Sequence, residues 1–173
     1  MCGESLATGA PLEELRSQIV TAFSGRPRPA DDRIALADDR YPDYEGHRVA
    51  AFFRGRDWRE VSWPALQHLP GDPTASLRFL LDESFLYYLP AFMLMALEEG
   101  EIAEPLSFAL TDPGPEAPED SRPFRTRMAG LSATERAAVV AVLRHLTDRY
   151  ERAGEPGNPA RDALRSYWDP LPA

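Results

Sequence analysis

The chain has 173 residues, is 43% hydrophobic and carries a formal net charge of −9. That length suits one domain able to bury roughly two-thirds of the surface its unfolded chain exposes, so a core without disulfide or metal staples is expected. A net-negative surface repels a phosphate backbone unless its basic residues gather on one face, and the arginines here are scattered apart from Arg54, Arg56 and Arg59 and the trio Arg122, Arg125 and Arg127, which disfavours nucleic acid as a partner.

All nineteen basic residues are arginine, and with abundant alanine and proline this reads as the composition bias of a GC-rich bacterial genome. The single cysteine, Cys2, cannot form an internal disulfide. No basic segment leads into an apolar stretch at the start, so no secretory signal is expected and the cytoplasm is the default compartment.

Residues 1–10 read as a polar, disordered leader and residues 11–173 as one helical domain. Leu12, Leu15, Ile19 and Phe23 fall on one face of a helix over residues 11–24, with Pro11 in its first turn and Gly25, Pro27 and Pro29 ending it. The aspartate-rich stretch that follows is irregular. The segment from Tyr44 reads as a helix, on which Val49, Phe52 and Phe53 share a face and Gly55 is the stop, or as a short strand over the run "VAAFF", with the helix preferred. Asp57 is placed to cap a short helix carrying Trp58 and Val61, and Pro64 marks its end or a kink. "LPGDP" at 69–73 is a turn, and Thr74 can cap a helix holding Leu77, Leu80 and Leu81.

Thirteen residues from Phe85 to Leu97 are apolar or aromatic around a single proline. As a helix they span about 20 Å, short of a hydrocarbon core of about 30 Å, and Asp82, Glu83, Glu98 and Glu99 flank them, so a membrane segment is not expected. Pro90 lacks an amide hydrogen and pushes Leu89 out of the α region, which predicts a break there and a new helix over residues 90–99 capped by Gly100. Apolar on every face, that helix belongs in the middle of the core.

"EPLSFAL" continues as a helix or a short extended piece, and four prolines within fourteen residues make 112–123 a proline-rich, mobile loop. Ser132 and Glu135 form a capping box before a helix whose stripe is Val139, Val142, Leu143, Leu146 and Tyr150. Asn158 and Pro159 open a last helix with Leu164, Tyr167 and Trp168. The expected fold is mainly α, an irregular bundle of about six or seven helices around a central apolar one.

Sites for chemistry are scarce. "MCG" is compatible with an N-terminal nucleophile, but the polar leader behind it is unlike the core strand such enzymes place there. His47, His68 and His145 stand singly, and the acidic run Asp31, Asp32, Asp38, Asp39, Asp43 and Glu45 lacks the alternate ligands and central glycine of a calcium loop. No catalytic residue, metal or cofactor is indicated. Surplus aromatics point instead to binding, with Asp57, Trp58, Tyr87 and Tyr88 as candidate contact residues.

The N-terminal helix "LRSQIVTAF", the stretch "GRDWREVSW" and the run "FLYYLPAFMLMAL" together resemble a bacterial family, domain of unknown function 6714. The matching residues are Asp57, Trp58, Tyr88, Leu89, Pro90, Ala91, Leu131 and Ser132, of which the Tyr-Leu-Pro-Ala element is distinctive. The resemblance implies a fold and a bacterial cytoplasmic setting and carries over no catalytic residue. Leu89, Pro90 and Ala91 are read as a structural motif, a helix break packed against Trp58 with the Tyr88 hydroxyl satisfying a backbone group freed there.

Two functions follow from these features. The favoured one is a non-enzymatic interaction protein, of immunity or adaptor type, whose acidic surface binds another bacterial protein with a basic surface. The alternative is a small hydrolase using carboxylates gathered around Asp57 and segment 38–45, which requires a pocket with carboxyl groups of raised pKa.

Overall fold

The computed structural model describes residues 9–36, 40–41 and 44–169. Among them the chain is all α, with helices laid around one core that draws side chains from Leu15 to Trp168. Helix α1 (Gly9–Phe23) begins two residues inside the expected leader and buries Leu15, Ile19 and Phe23 as its spacing predicts. Residues 34–36 then run beside 79–81, where Leu36 N–H donates to Phe79 O (2.7 Å) and Leu81 N–H to Ile34 O (3.0 Å).

Helix α2 (Glu45–Phe53) forms as the helical reading has it, with Val49 and Phe53 buried, and Gly55 turns the chain at φ +74°. Its second residue is a glycine for a steric reason: a Cβ on Gly46 would lie 1.7 Å from Leu36 O. Asp57 caps a 3-10 turn (Trp58–Glu60), and Glu60 answers with a hydrogen bond to Asp57 N–H, completing a capping box. Pro64 does not end that turn. It sits in the first turn of a separate helix, α3 (Trp63–Leu66), capped by Ser62. Asp72, not Thr74, caps the next 3-10 segment (Pro73–Phe79), accepting from both Thr74 N–H and Thr74 Oγ1.

The largest departure from expectation is at Pro90, which does not break the chain. Helix α4 runs without interruption from Asp82 to Glu98, and every residue from Ser84 to Leu97 except Leu94 is buried. A proline in a helix interior costs about 3 kcal/mol through the missing N–H donor and the clash with the carbonyl four residues back, here Leu86. Each fully buried Leu, Phe or Met returns about 1.5–3 kcal/mol. Leu89, Phe92 and Met93 are all fully buried, so a straight path through the core outweighs the local preference. The central helix is therefore α4 as a whole, packed against α1 and the helices introduced next.

Gly100 is not a left-handed cap either; it opens α5 (Gly100–Ala109), which follows a single extended residue, Glu99. The proline-rich stretch is irregular only as far as Ala117, because α6 (Pro118–Met128) takes Pro118 into its first turn and contains Pro123. Asp112 ties this stretch down. Its buried carboxylate accepts from Ser121 Oγ (2.6 Å), Arg125 Nε (2.6 Å) and Gly114 N–H (2.9 Å).

Helix α7 (Ala133–Ala153) carries the predicted Ser132/Glu135 capping box and ends on Gly154 at φ +68°. Asn158 caps α8 (Pro159–Ala163), which passes into a π turn (Leu164–Trp168) with Trp168 buried and its indole N–H donating to Leu110 O at 2.7 Å. No helix among the described residues is long and apolar enough to cross a membrane.

Candidate functional site

The predicted contact residues come together where α4 crosses the end of α2. Three of the four are interior: Trp58 and Tyr88 are fully buried and Tyr87 nearly so, while the Asp57 carboxylate is half exposed. Tyr88 packs its ring on Phe53 with centroids 4.6 Å apart, and its hydroxyl donates to Phe53 O (2.8 Å) and Arg56 O (3.0 Å). Phe53 ends α2 and its carbonyl also accepts from Arg56 N–H (3.1 Å), while Arg56 lies in the turn that follows. The hydroxyl thus closes the end of α2; there is no break at Pro90 for it to satisfy.

Around it the polar groups are committed to holding the loop. Asp57 Oδ1 accepts from Arg59 N–H (2.9 Å) and Nη1 (3.2 Å), Oδ2 from the Tyr87 hydroxyl (3.3 Å), and the Arg59 guanidinium lies 4.4 Å over the Trp58 ring. Burial raises the Asp57 carboxyl's pKa, but the hydrogen bonds and charge of Arg59 outweigh it, so the group is held below the ordinary carboxylate range. Burial, followed by the neighbouring Tyr87, pushes the Tyr88 phenol well above its ordinary value, so it stays a proton donor.

A hydrolase would need a carboxyl pushed the other way. Asp31, Asp57, Asp72, Asp112 and Glu135, the described carboxyls with a clear shift, are all lowered. Asp38, Asp39 and Asp43 lie outside the described residues, as does Cys2. Among the described residues no group of three His, Cys, Asp or Glu side chains is placed to hold a metal. His68 Nδ1 is 2.7 Å from Pro64 O, and His145, half-buried on α7, has its pKa lowered by burial and then by Arg149 and Arg152.

The surface feature that sequence reading missed is Phe108. It stands on α5 with 61% of its area exposed and forms a wall of two clefts. The larger, about 460 Å³, lies between α5, the end of α7 and the start of α8, with Tyr150, Glu104, Glu155 and Asp162 also on its walls. The smaller, about 390 Å³, opens toward Leu77 and Arg78. None of Glu104, Glu155 and Asp162 is in an ion pair among the described residues. Arg149, on the wall of the larger cleft, donates to Ala96 O (2.8 Å) and Leu97 O (3.4 Å) at the C-terminal end of α4.

The arrangement is that of an acidic all-α domain with a buried polar brace between α2 and α4 and an aromatic, carboxylate-lined cleft between α5, α7 and α8. Residues 11–171 match the model of a family of unknown function, DUF6714, and the chain belongs to that family. No curated protein and no solved structure matches it.

Proposed function

We propose that the chain is a non-enzymatic interaction module of the bacterial cytoplasm, of immunity or adaptor type, that binds another protein presenting a basic surface. The observation that carries this reading is the face around Phe108, where an exposed aromatic ring stands beside carboxylates that make no ion pair among the described residues. Exposed aromatics are frequent anchors of protein interfaces. The net charge of −9 acts in the same direction, accelerating encounter with a basic protein and making that encounter sensitive to salt. Asp57, half exposed at the mouth of the buried brace, is positioned to add a rim contact but not an anchor.

Affinity capture by the whole chain from a bacterial lysate at low and at high salt, read by mass spectrometry, tests the reading. It expects one stoichiometric basic protein at low salt that is released at high salt.

A further inference from the structure

We infer that the larger cleft beside Phe108 receives an arginine side chain of the partner, stacked against the aromatic wall formed by Phe108 and Tyr150, with its charge taken up by Glu104, Glu155 and Asp162. The inference rests on reading the chain as an interaction module and names the group that such a partner inserts.

The first support is how this protein treats its other rings, both buried ones (Trp58, Phe85, Trp168) and exposed Tyr41. Arg59 lies 4.4 Å from the Trp58 ring, Arg56 4.6 Å from Phe52 and Arg127 4.7 Å from Phe85, and Arg136 covers both Tyr167 and Trp168 at 4.5 and 4.9 Å. Exposed Tyr41 has Arg40 at 5.9 Å. Phe108, equally exposed, has neither a guanidinium nor another ring against it among the described residues. A guanidinium over an aromatic face is favourable even near the surface, and at Phe108 that position is left to a partner.

The second support is charge. Among the described residues three carboxylates face the cleft without an ion pair, and Arg149 already directs its donors into the C-terminal carbonyls of α4. The cleft combines a net negative field with the aromatic faces of Phe108 and Tyr150, which suits a cation able to shed water. Arginine fits this better than lysine, because its planar guanidinium is weakly hydrated, stacks on rings and presents a fork of donors to carboxylates, whereas an ammonium is a strongly hydrated point charge. At about 460 Å³ the cleft lies at the small end of ligand-sized sites, matching one side chain rather than a long segment.

The test is an NMR titration of the full chain with the peptide acetyl-Gly-Gly-Arg-Gly-Gly-amide, set against the same peptide carrying citrulline, a neutral near-isostere, and one carrying lysine. Saturable shifts confined to α5 and to the region from Tyr150 to Asp162 are expected with arginine, weaker by about tenfold with citrulline and clearly weaker with lysine. Phe108→Ala, at an exposed position, and the double variant Glu104→Gln/Glu155→Gln each reduce the arginine affinity several-fold while leaving the circular dichroism spectrum unchanged. No saturable shift, equal binding of citrulline or lysine, or unchanged affinity in Phe108→Ala overturns the inference. If the chain captures a basic protein and Phe108→Ala captures it equally well, the site is wrong and the interaction reading stands; if no protein is captured, the interaction reading itself falls.

Discussion

The Tyr88 hydroxyl in α4 donates to the carbonyl of Phe53 at the end of α2, 35 residues earlier, at 2.8 Å, and the two rings lie 4.6 Å apart. One side chain therefore supplies both the packing and the polar closure that join the central helix to the segment before it. Tyr88→Phe keeps the ring and removes the donor, leaving the Phe53 and Arg56 carbonyls with one partner fewer. Such a loss costs about 1–3 kcal/mol. Urea denaturation should show a lower midpoint with an unchanged slope.

Pro90→Ala is expected to have a small net effect. Alanine restores the missing N–H donor toward Leu86 O and relieves the clash, a gain of up to about 3 kcal/mol, but it deletes a buried ring from a packed helix at a cost of about 1–3 kcal/mol. Stability should stay within about 1 kcal/mol of the parent, and partner capture should be unchanged. A folded Pro90→Ala protein that has lost its partner would contradict a structural role for the Leu89-Pro90-Ala91 element.

Arg26 grips Glu135 with two donors, Nε to Oε1 and Nη2 to Oε2, both at 2.7 Å, with side chains only 16% and 6% exposed. Arg26→Ala leaves that carboxylate in the interior without its counter-charge, a change worth about 3–5 kcal/mol. Burial raises the Glu135 carboxyl, but Arg26 and the Ser132 N–H more than offset it, so the folded value lies below the ordinary 4.5. A depressed folded pKa means stability that is complete above the unfolded value and lost as pH falls from there through the folded one. Acid titration of the unfolding free energy should decline below about pH 4.5 and do so less steeply in Glu135→Gln.

Gly46→Ala sets a Cβ 1.7 Å from Leu36 O, an oxygen in a segment that Phe79 O already fixes through Leu36 N–H. The neighbour is backbone and cannot rotate away, so residues 34–36 must move. Overpacking of this kind costs about 1–3 kcal/mol or more. Thermal unfolding should register it as a drop in Tm of several degrees or as failure to fold.

Asp112→Ala removes the acceptor for Ser121, Arg125 and Gly114 at once. The buried Ser121 hydroxyl is left without that partner, and about 2–4 kcal/mol is at stake. Hydrogen exchange should quicken selectively in α6 and the preceding loop, whereas the backbone bond from Asp112 N–H to Ser166 Oγ (3.0 Å) is kept.

Local chemistry was legible in the sequence where one residue speaks to another a few positions away. The Ser132/Glu135 box, the Asp57 cap, the α1 stripe and the Asn158 cap all follow from such spacings. The errors arise where tertiary packing overrules a local preference: Pro90 stays inside a helix because both flanks are buried, and Pro118 and Pro123 are absorbed into α6. Gly100 looked like a stop because glycine can adopt positive φ, yet one extended residue at Glu99 already separates the helices. The pairs Arg26–Glu135 and Tyr88–Phe53 leave no local trace, being 109 and 35 residues apart. Phe108 was unreadable for a related reason. Which face of α5 points outward depends on what packs against it, and Pro105 and Phe108 border clefts made by distant segments.

The proposed function is binding of a basic protein through an acidic, aromatic face. It is tested most directly by capturing partners from lysate with the parent chain and with the triple variant Glu104→Gln/Glu155→Gln/Asp162→Asn, side by side at low and high salt. The claim predicts one stoichiometric basic protein on the parent at low salt, released at high salt and strongly depleted on the variant. A blank, or a partner held equally by both chains and indifferent to salt, would contradict it.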